Sequence, residues 1–422
     1  MTIKTEYFRD SKYNINSSSY NTLSYSTFSK IHQMTAYLAM FPPSLPNYFI
    51  ENFSKKNDLV FDPFSGRGTT IFEACRLGRI GIGNDLNPLA VCLTKAKANL
   101  PLNIKNIHKR INELEKRYIK PDTNNISEDI KILYDEETTL AQLIYLKKEL
   151  SKKKKIDNFI LAILTGLMHG KQRKDGSSIY CSIDMPNTFS MSPNYIKNFV
   201  KKHGLTKPKQ NVFNLIKNRV ETILKETTNT IDQQNSFKSL KNYVKGYCFN
   251  ADAIKSSAKI KSKYGKESVK LIVTSPPYLK VINYGKYNWI RLWLLDEDIE
   301  KVDKNVGIYH KTQKQNLSDN LSLVKYALYM QDLFNSWNEI LKKDGYAFVV
   351  IGDVNEGKGE TLNLAQETWN LIQKNGGCKL NLMNIITDNL NENGEVKVTK
   401  IWGNKKGKAT EVDRIMILKR RT

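Results

Sequence analysis

The sequence predicts an α/β fold with a parallel sheet of the nucleotide-binding kind, and two stretches of the chain carry that prediction. Residues 57–90 contain, in order, a short apolar run, a glycine turn, a helical pattern, a second apolar run and an acid, Asp85. That order is the front half of a nucleotide-binding domain. Residues 271–273 form another apolar run, which two consecutive prolines follow closely. Both stretches put distinctive residues at the carboxyl end of a strand, where ligands of such folds bind.

The first stretch divides into elements at its polar and glycine residues. The apolar run 59–61 reads as a buried strand that breaks at Asp62 and Pro63. A helix should follow, with Thr69 as its cap and apolar residues at helical spacing until a glycine ends it. The next apolar run gives a second strand that ends at Asp85. The sequence therefore predicts a strand, turn, helix and strand in succession.

The glycines of the turn separate two classes of cofactor. A dinucleotide fingerprint requires a third glycine where Ile71 stands, because that glycine lets the helix pack tightly on the sheet. The turn instead carries Asp-Pro-Phe-Ser-Gly-Arg-Gly-Thr-Thr, in which Gly66 and Gly68 place no Cβ in the way of a ligand. A glycine turn alone can be only a turn. The whole string resembles the S-adenosyl-L-methionine (AdoMet) motif of amino-group DNA methyltransferases, Asp-Pro-Phe-x-Gly-x-Gly-Thr-Thr.

This resemblance implies AdoMet as the cofactor and a set of residues that bind it. Asp85 would accept hydrogen bonds from the two ribose hydroxyls, and Asp252, just past a third strand near residue 247, would bond the exocyclic amine of the adenine. Phe41 and Pro42 would cover the methionine end, with simple packing of a helix on the sheet as an equal alternative. The complete predicted set is Phe41, Pro42, Asp62, Pro63, Phe64, Gly66, Gly68, Thr69, Asp85, Leu86 and Asp252.

The second stretch ends in a rigid motif, Ser275-Pro276-Pro277-Tyr278. Two consecutive prolines fix two φ angles and remove two N–H groups, which makes a stiff lip at the end of the strand. The string resembles the catalytic motif of enzymes that methylate exocyclic amines of DNA bases, especially N4 of cytosine. By that likeness the Ser275 hydroxyl and the Pro276 carbonyl orient the target amine, and Tyr278 stacks on a flipped base. A purely structural proline turn is the alternative.

The expected chemistry needs no covalent nucleophile. An exocyclic amine is weakly nucleophilic, so the site must hold it in line with the sulfonium methyl and favour the pyramidal nitrogen of the transition state. Methylation at carbon 5 of cytosine requires a thiolate, usually in a Pro-Cys pair, and the chain contains no Pro-Cys. The sequence therefore disfavours carbon-5 methylation.

The amino-acid composition indicates which classes of partner the protein can have. Lys and Arg exceed Asp and Glu by 66 to 42, a net charge of +24, which favours nucleic acid as a partner. An AT-rich genome would also encode many lysines. The cysteines and histidines form no metal-binding spacing, so no metal site is predicted. Without a long apolar run or a signal-peptide core, we expect a soluble, cytoplasmic protein with no membrane partner.

Four segments are predicted along the chain. They are a polar tail over 1–25, the first part of the methyltransferase domain over 26–100, a largely helical basic insertion over 101–245, and the second part with the catalytic motif over 246–422. Within the insertion, residues 171–220 carry ten Lys or Arg against two Asp or Glu, with interleaved aromatics. The insertion is therefore the candidate DNA-recognition region, with a basic surface due to codon bias as the alternative.

The sequence as a whole predicts a seven-stranded, Rossmann-like AdoMet-dependent methyltransferase sheet with a helical insertion. The AdoMet motif precedes the Ser-Pro-Pro-Tyr motif, whereas many relatives have the reverse order. The resemblance implies site-specific methylation of cytosine N4 in double-stranded DNA by a monomer, as the protective half of a restriction-modification system with a cognate restriction endonuclease. Methylation of adenine N6, methylation of an amine in RNA, and a catalytically silent DNA-binding subunit remain open.

Overall fold

A central sheet organises the protein, in a computed structural model that describes residues 8–10, 13–15, 20, 23–38, 42–186, 189–229, 237–277, 284–306, 320–357, 360–389 and 409–421. Within these residues, two strands form a small hairpin and eight form the sheet. The hairpin strands are β1 (Phe8–Asp10) and β2 (Tyr13–Ile15). The sheet strands are β3 (Leu59–Asp62), β4 (Ile80–Asp85), β5 (Tyr247–Asn250), β6 (Val269–Thr274), β7 (Leu341–Gly357), β8 (Glu360–Leu362), β9 (Leu380–Asn389) and β10 (Ala409–Arg420).

The strand order confirms the predicted Rossmann-like methyltransferase sheet. Seven strands run in the order β5-β4-β3-β6-β7-β10-β9, and β8 pairs with β7 beside this path. Strand β10 is antiparallel to both of its neighbours, and the other pairings along the path are parallel. The chain order runs outward from β3 through β4 to β5 on one side, and from β6 to β7 on the other, where β10 then lies between β7 and β9. The switch point, where open α/β sheets bind ligands, therefore lies between β3 and β6.

Helices flank this sheet and form the insertion within it. Those within residues 26–100 and 246–422 are α1 (Ser44–Phe53), α2 (Thr69–Arg76), α3 (Pro88–Ala98), α10 (Ala253–Tyr264), α11 (Tyr284–Tyr287), α12 (Trp289–Leu294), α13 (Ile299–Val306), α14 (Asn320–Trp337) and α15 (Leu364–Lys374). Those of the insertion are α4 (Ile104–Lys116), α5 (Glu128–Lys131), α6 (Ala141–Glu149), α7 (Lys155–Leu167), α8 (Pro193–His203) and α9 (Val212–Asn229), with a π-helical turn over Glu136–Leu140.

The two faces of the sheet bury different sets of side chains, because successive residues of a strand point to opposite faces. Phe61, Ile272 and other residues of one face share a core with helices α10, α14 and α15. Val60, Leu271 and Val273 point to the other face and share a core with α1. Both faces are apolar, which is why these central strands read as continuous apolar runs in the sequence.

Glycines on strand β4 compensate for the glycine that the turn lacks. A Cβ added at Gly81 would lie 2.8 Å from the Ile71 backbone oxygen, and one added at Gly83 would lie 2.6 Å from Cγ2 of Thr94. Helices α2 and α3 therefore pack closely on β4 because the strand, not the helix, contributes the glycines. This explains how Ile71 can occupy the position of the third glycine in a dinucleotide fingerprint.

Two described residues of the N-terminal segment, Ile15 and Tyr20, are buried in the fold. The polar composition of residues 1–25 predicts a loosely held tail, but Ile15 is 0% and Tyr20 is 2% exposed. The Tyr20 ring lies 5.7 Å from that of Phe49 on α1, in the core of the second face. Isolated apolar residues in a polar stretch show no periodicity, so no pattern in the sequence predicts that these two are buried.

Candidate active site

The two predicted motifs meet at the switch point through a hydrogen bond between side chains. Asp62 ends β3 and is 2% exposed, and Thr274 ends β6. The Thr274 hydroxyl donates to Oδ1 of Asp62 over 2.6 Å, and the backbone N–H of Phe64 donates to the same oxygen over 3.1 Å. Burial raises the pKa of Asp62 to about 7, against the opposing effect of these bonds. Thr274 was missed by the sequence reading, although it directly precedes Ser275.

The glycine turn begins helix α2 in a way that differs from the prediction. Gly68, with φ of +78°, occupies the cap position, and Thr69 is the first helical residue. The Thr69 hydroxyl instead accepts a hydrogen bond from Nε of Arg67 over 3.2 Å. The prediction that Thr69 caps the helix is therefore wrong. Gly66 also has a positive φ, +48°, so both glycines adopt the left-handed conformation that favours residues without a Cβ.

Asp85, at the end of β4, joins the turn to the start of helix α3. Its Oδ2 accepts a hydrogen bond from the backbone N–H of Gly66 over 2.9 Å, and its Oδ1 accepts one from the N–H of Asn87 over 2.9 Å. Burial raises the pKa of Asp85 to about 6, although these bonds oppose the shift. The carboxyl group is thus fixed in orientation beside the glycine turn.

Asn87 and Tyr37 extend this arrangement and were not predicted. The Asn87 side chain caps α3 by accepting from the N–H of Leu89 over 3.1 Å, and its Nδ2 donates to the Tyr37 hydroxyl over 3.0 Å. Cε1 of Tyr37 lies 3.6 Å from where a Cβ of Gly66 would stand. Asn before Pro is a helix-start signal that could have identified Asn87. No sequence pattern points to Tyr37.

The ends of β4 and β5 bring Asp252 to the same edge of the sheet. Nδ2 of Asn84 donates to the Ala251 carbonyl over 2.9 Å, and Nδ2 of Asn250 donates to the Asp85 carbonyl over 2.8 Å. Asp252 also caps helix α10, since its Oδ1 accepts from the N–H of Ile254 over 3.0 Å. One carboxylate oxygen of Asp252 is therefore engaged in the fold.

The other predicted residues lie along this edge or outside the described part of the chain. The Pro63 carbonyl accepts from Nδ2 of Asn84 over 3.2 Å, and the Phe64 ring lies 6.5 Å from that of Tyr329. Leu86, Ser275 and Pro277 are half-buried, Pro276 is buried, and Pro42 lies two residues before the start of α1. Phe41 and Tyr278 lie outside the residues that the structure describes.

The insertion contacts the segment that follows the predicted Ser-Pro-Pro-Tyr motif. The indole N–H of Trp289 on α12 donates to the Met191 carbonyl over 2.7 Å. The N–H of Ser190 donates to the Tyr287 carbonyl over 2.7 Å. These bonds tie residues 190–191 of the insertion to helices α11 and α12.

The electrostatics of the edge favour a ligand with positive charge and hydroxyl donors. Asp62 and Asp85 both have pKa values raised by burial, so a cation or hydroxyl donor that approached them would stabilise their ionised forms. In the part of the chain that is described, His, Cys, Asp and Glu form no group of three able to hold a metal ion. None of the described helices combines the length and apolar character that crossing a membrane requires.

Comparison with known proteins confirms the resemblance on which the sequence reading rests. Residues 4–96 match the family described as DNA methylase, N6_N4_Mtase. The chain is 31% identical to type II methyltransferase M.MjaII of Methanocaldococcus jannaschii over 67 residues, which are 16% of this chain and 13% of that protein. It is 32% identical to type II methyltransferase M.MvaI of Kocuria varians over 107 residues, 25% of this chain and 23% of the relative.

A third relative, type II beta methyltransferase M.BslI of a Bacillus species, is 36% identical over 73 residues, 17% of this chain and 8% of that protein. The matched segments thus span less than a quarter of each relative's length. Together the matches support an amino-group DNA methyltransferase of the restriction-modification type, a family whose methyl donor is AdoMet.

Proposed function

From the match of residues 4–96 to the DNA methylases, we propose that this chain transfers a methyl group from AdoMet to the exocyclic N4 amine of cytosine in double-stranded DNA. The observation that carries the proposal is the 2.6 Å hydrogen bond between Thr274 and Asp62. It joins the glycine turn to the Ser-Pro-Pro motif at the switch point of the sheet. A cofactor bound at the turn and a base held at Ser275 would therefore lie side by side.

AdoMet fits the polar groups of this edge. The Asp85 carboxylate accepts one backbone N–H at each oxygen, and each oxygen has a further lone pair for a ribose hydroxyl. Gly66 and Gly68 leave the backbone of the turn open to close approach. When bound, AdoMet supplies an electrophilic methyl group on a cationic sulfonium. The raised pKa values of Asp62 and Asp85 mean that these carboxyls gain from a nearby cation.

The chain's own contribution to the reaction is to position an amine and stabilise its developing charge. The nitrogen of the amine becomes positively charged as it attacks, so its N–H groups become stronger hydrogen-bond donors. The Ser275 hydroxyl oxygen and the Pro276 carbonyl are acceptors on a stiff backbone, and would bind those donors more strongly in the transition state than in the ground state. Tyr278 would stack on the flipped base.

The choice of cytosine N4 rests on the serine that begins the Ser-Pro-Pro-Tyr motif. Adenine N6 is the second candidate target, because the matching family takes its name from both N6 and N4 methylation. The fold, the cofactor and the order of events would be the same for either base. Only the pocket that receives the flipped base would differ.

Nucleoside mass spectrometry on DNA from cells that express this chain tests the proposal. We expect N4-methylcytosine in the expressing cells and its absence in cells that express a Tyr278→Ala variant. N6-methyladenine instead would move the acceptor and keep the mechanism. If neither base is methylated while the purified chain binds AdoMet, either RNA is the substrate or a partner supplies the missing specificity. The same assay on cellular RNA would separate these two outcomes.

The affinity for AdoMet should rise with pH around the pKa of Asp85. The carboxyl has a pKa of about 6 in the free protein, and hydroxyl donors favour its ionised form, so binding must release a proton below that pH. For one such group the affinity should fall by up to about tenfold per pH unit as the pH drops below 6. Calorimetry between pH 5 and 8, in buffers of different ionisation enthalpy, would measure both effects.

The Asp85→Asn variant is the control, because its side chain cannot titrate. Its affinity should be lower and should lose the dependence on pH near 6. An affinity of the unaltered protein that stays constant from pH 5 to 8 would show that Asp85 does not receive the ribose hydroxyls.

A further inference from the structure

We propose that helix α8 enters the major groove of double-stranded DNA and reads bases there, an inference that rests on the proposed DNA substrate. The helix spans 11 residues, Pro193–His203, within the insertion. It begins at Ser192, whose side chain accepts a hydrogen bond from the N–H of Tyr195, and ends at Gly204 with φ of +58°. Both ends are thus well defined, so the helix is a rigid element.

Helix α8 presents most of its surface to solvent. Ile196 is its one buried residue, and Phe199 and Val200 beside it are half-buried. At 3.6 residues per turn, the side opposite Ile196 carries Asn194, Asn198, Lys201 and Lys202, and all four are exposed. An exposed stripe of two asparagines followed by two lysines is therefore left for a partner.

The side chains in this stripe match the chemistry of base edges. An asparagine side chain can bond both N6 and N7 of adenine, and a lysine can bond guanine O6 and N7 or a phosphate. Asn194 and Asn198 lie one turn apart, so both can face the floor of one groove. An α-helix with its side chains is about 10–12 Å wide, and the major groove is about 12 Å wide. Tyr195, 46% exposed, flanks the stripe.

The charge around α8 is complementary to a polyanion. Between Asp184 and Glu221 the sequence contains seven Lys or Arg and no acid. Lys197 is paired with Asp129 over 2.8 Å. Lys201 and Lys202, by contrast, form no ion pair with any residue that the structure describes. A phosphate backbone would supply the missing negative charge.

The position of α8 relative to the catalytic motif supports the same assignment. The residues directly before the helix are the ones bonded to α11 and α12: Ser190 to the Tyr287 carbonyl, and the Met191 carbonyl to Trp289. The rings of Phe189 and Tyr287 also lie 5.7 Å apart. The first turn of α8 is therefore anchored to the segment that follows the Ser-Pro-Pro motif. A duplex with α8 in its groove would hold its bases near the site that receives the flipped one.

Selection from a random duplex library by the full-length protein tests this inference, because the recognised sequence is not needed in advance. The unaltered protein should enrich a defined motif. The Asn194→Ala and Asn198→Ala variants should each lose preference at one or two positions, by about 5- to 150-fold per base pair. Lys201→Ala and Lys202→Ala should weaken binding to all duplexes and each reduce the salt dependence by about one ion.

Two exposed residues on other helices serve as matched controls, Asn112→Ala on α4 and Lys374→Ala on α15. Neither should alter the enriched motif or the salt dependence. If the α8 variants behave like these controls while the unaltered protein enriches a motif, α8 is not the reading helix, although methylation of DNA can stand. If the unaltered protein binds no duplex, or binds only RNA, the inference about α8 fails. Absence of DNA methylation in the expressing cells would show that the proposed function fails.

Discussion

Replacing Glu73 by alanine is expected to lower the free energy of unfolding by about 3–5 kcal/mol. The change removes a buried carboxylate, and the buried polar groups that bond it would lose that negative charge. Glu73 on α2 is fully buried and bonds three side chains. His32 Nε2 lies 2.8 Å from Oε1, Arg76 donates to Oε2 over 2.7 Å, and Asn47 donates to Oε2 over 2.9 Å. Burial alone would raise the pKa of Glu73, but Arg76 and His32 lower it to about 2.

Urea unfolding of the full chain measures this loss, and an exposed ion pair provides the control. Glu339 bonds Lys261 over 2.6 Å on the surface, where solvent screens the pair. Glu339→Ala should change the unfolding midpoint little, since exposed pairs contribute little. Equal midpoints for Glu73→Ala and Glu339→Ala would show that the buried cluster contributes no more than a surface pair does.

The residues around Glu73 also fix the position of the glycine turn through hydrogen bonds to Arg67. Nη1 of Arg67, between the two glycines, donates to the His32 carbonyl over 3.0 Å. The buried ammonium group of Lys97 on α3 donates to the Arg67 carbonyl over 2.8 Å. The cluster therefore links α1, α2, α3 and the segment before α1 to the turn. A variant that loosens the cluster should also disturb the glycine turn, which we propose binds AdoMet.

Two kinds of information in the sequence predict part of the site. Apolar runs locate the strands, and the carboxyl ends of neighbouring parallel strands meet at one edge of a sheet. Apolar runs located β3, β4 and β6. Strands β3 and β4 end at the motif residues Asp62 and Asp85, and β6 ends one residue before Ser275. Because carboxyl ends of neighbouring parallel strands meet, Asp62 and Ser275 were expected at one edge although more than 200 residues separate them. The 2.6 Å bond from Thr274 to Asp62 agrees with that expectation.

The parts that could not be predicted depend on contacts between distant segments. Tyr37 reaches Asn87, and His32 reaches Glu73, through packing of the segment before α1 on α2 and α3. No periodicity or motif records such pairs. The prediction that Thr69 caps α2 is wrong because Gly68, in the left-handed conformation, occupies the cap position directly before it. Asp252, expected from resemblance to bind adenine, has a second role as the cap of α10.

Separate losses of turnover and of AdoMet affinity are expected when Ser275 and Asp85 are changed one at a time. Ser275→Ala should lower turnover by about 10- to 100-fold, because a hydrogen bond to a charged group contributes about 1.5–3 kcal/mol. It should leave AdoMet affinity unchanged, because the proposed bond from Ser275 is to the reacting amine and not to the cofactor. Asp85→Ala should weaken AdoMet binding by about 100-fold or more, because it removes two such bonds to the ribose. Calorimetry and methyl transfer at saturating AdoMet separate the two effects.

The controls lie at the amino ends of β6 and of β3, on the opposite edge of the sheet. Ser268 directly precedes β6, the strand that leads to Ser275, and Asp58 directly precedes β3, the neighbour of the strand that ends at Asp85. Ser268→Ala and Asp58→Ala therefore match the chemistry of the two test variants. Both should keep the turnover and the affinity of the unaltered protein. If Ser275→Ala and Asp85→Ala each lose turnover and affinity to the same extent, the edge acts as one structural unit, and the assignment of the cofactor to β4 and the amine to β6 fails. Thr274 bonds Asp62 between the proposed cofactor site and the proposed amine site. A variant of Asp62 that lowers both turnover and AdoMet affinity would therefore still agree with separate roles for Ser275 and Asp85.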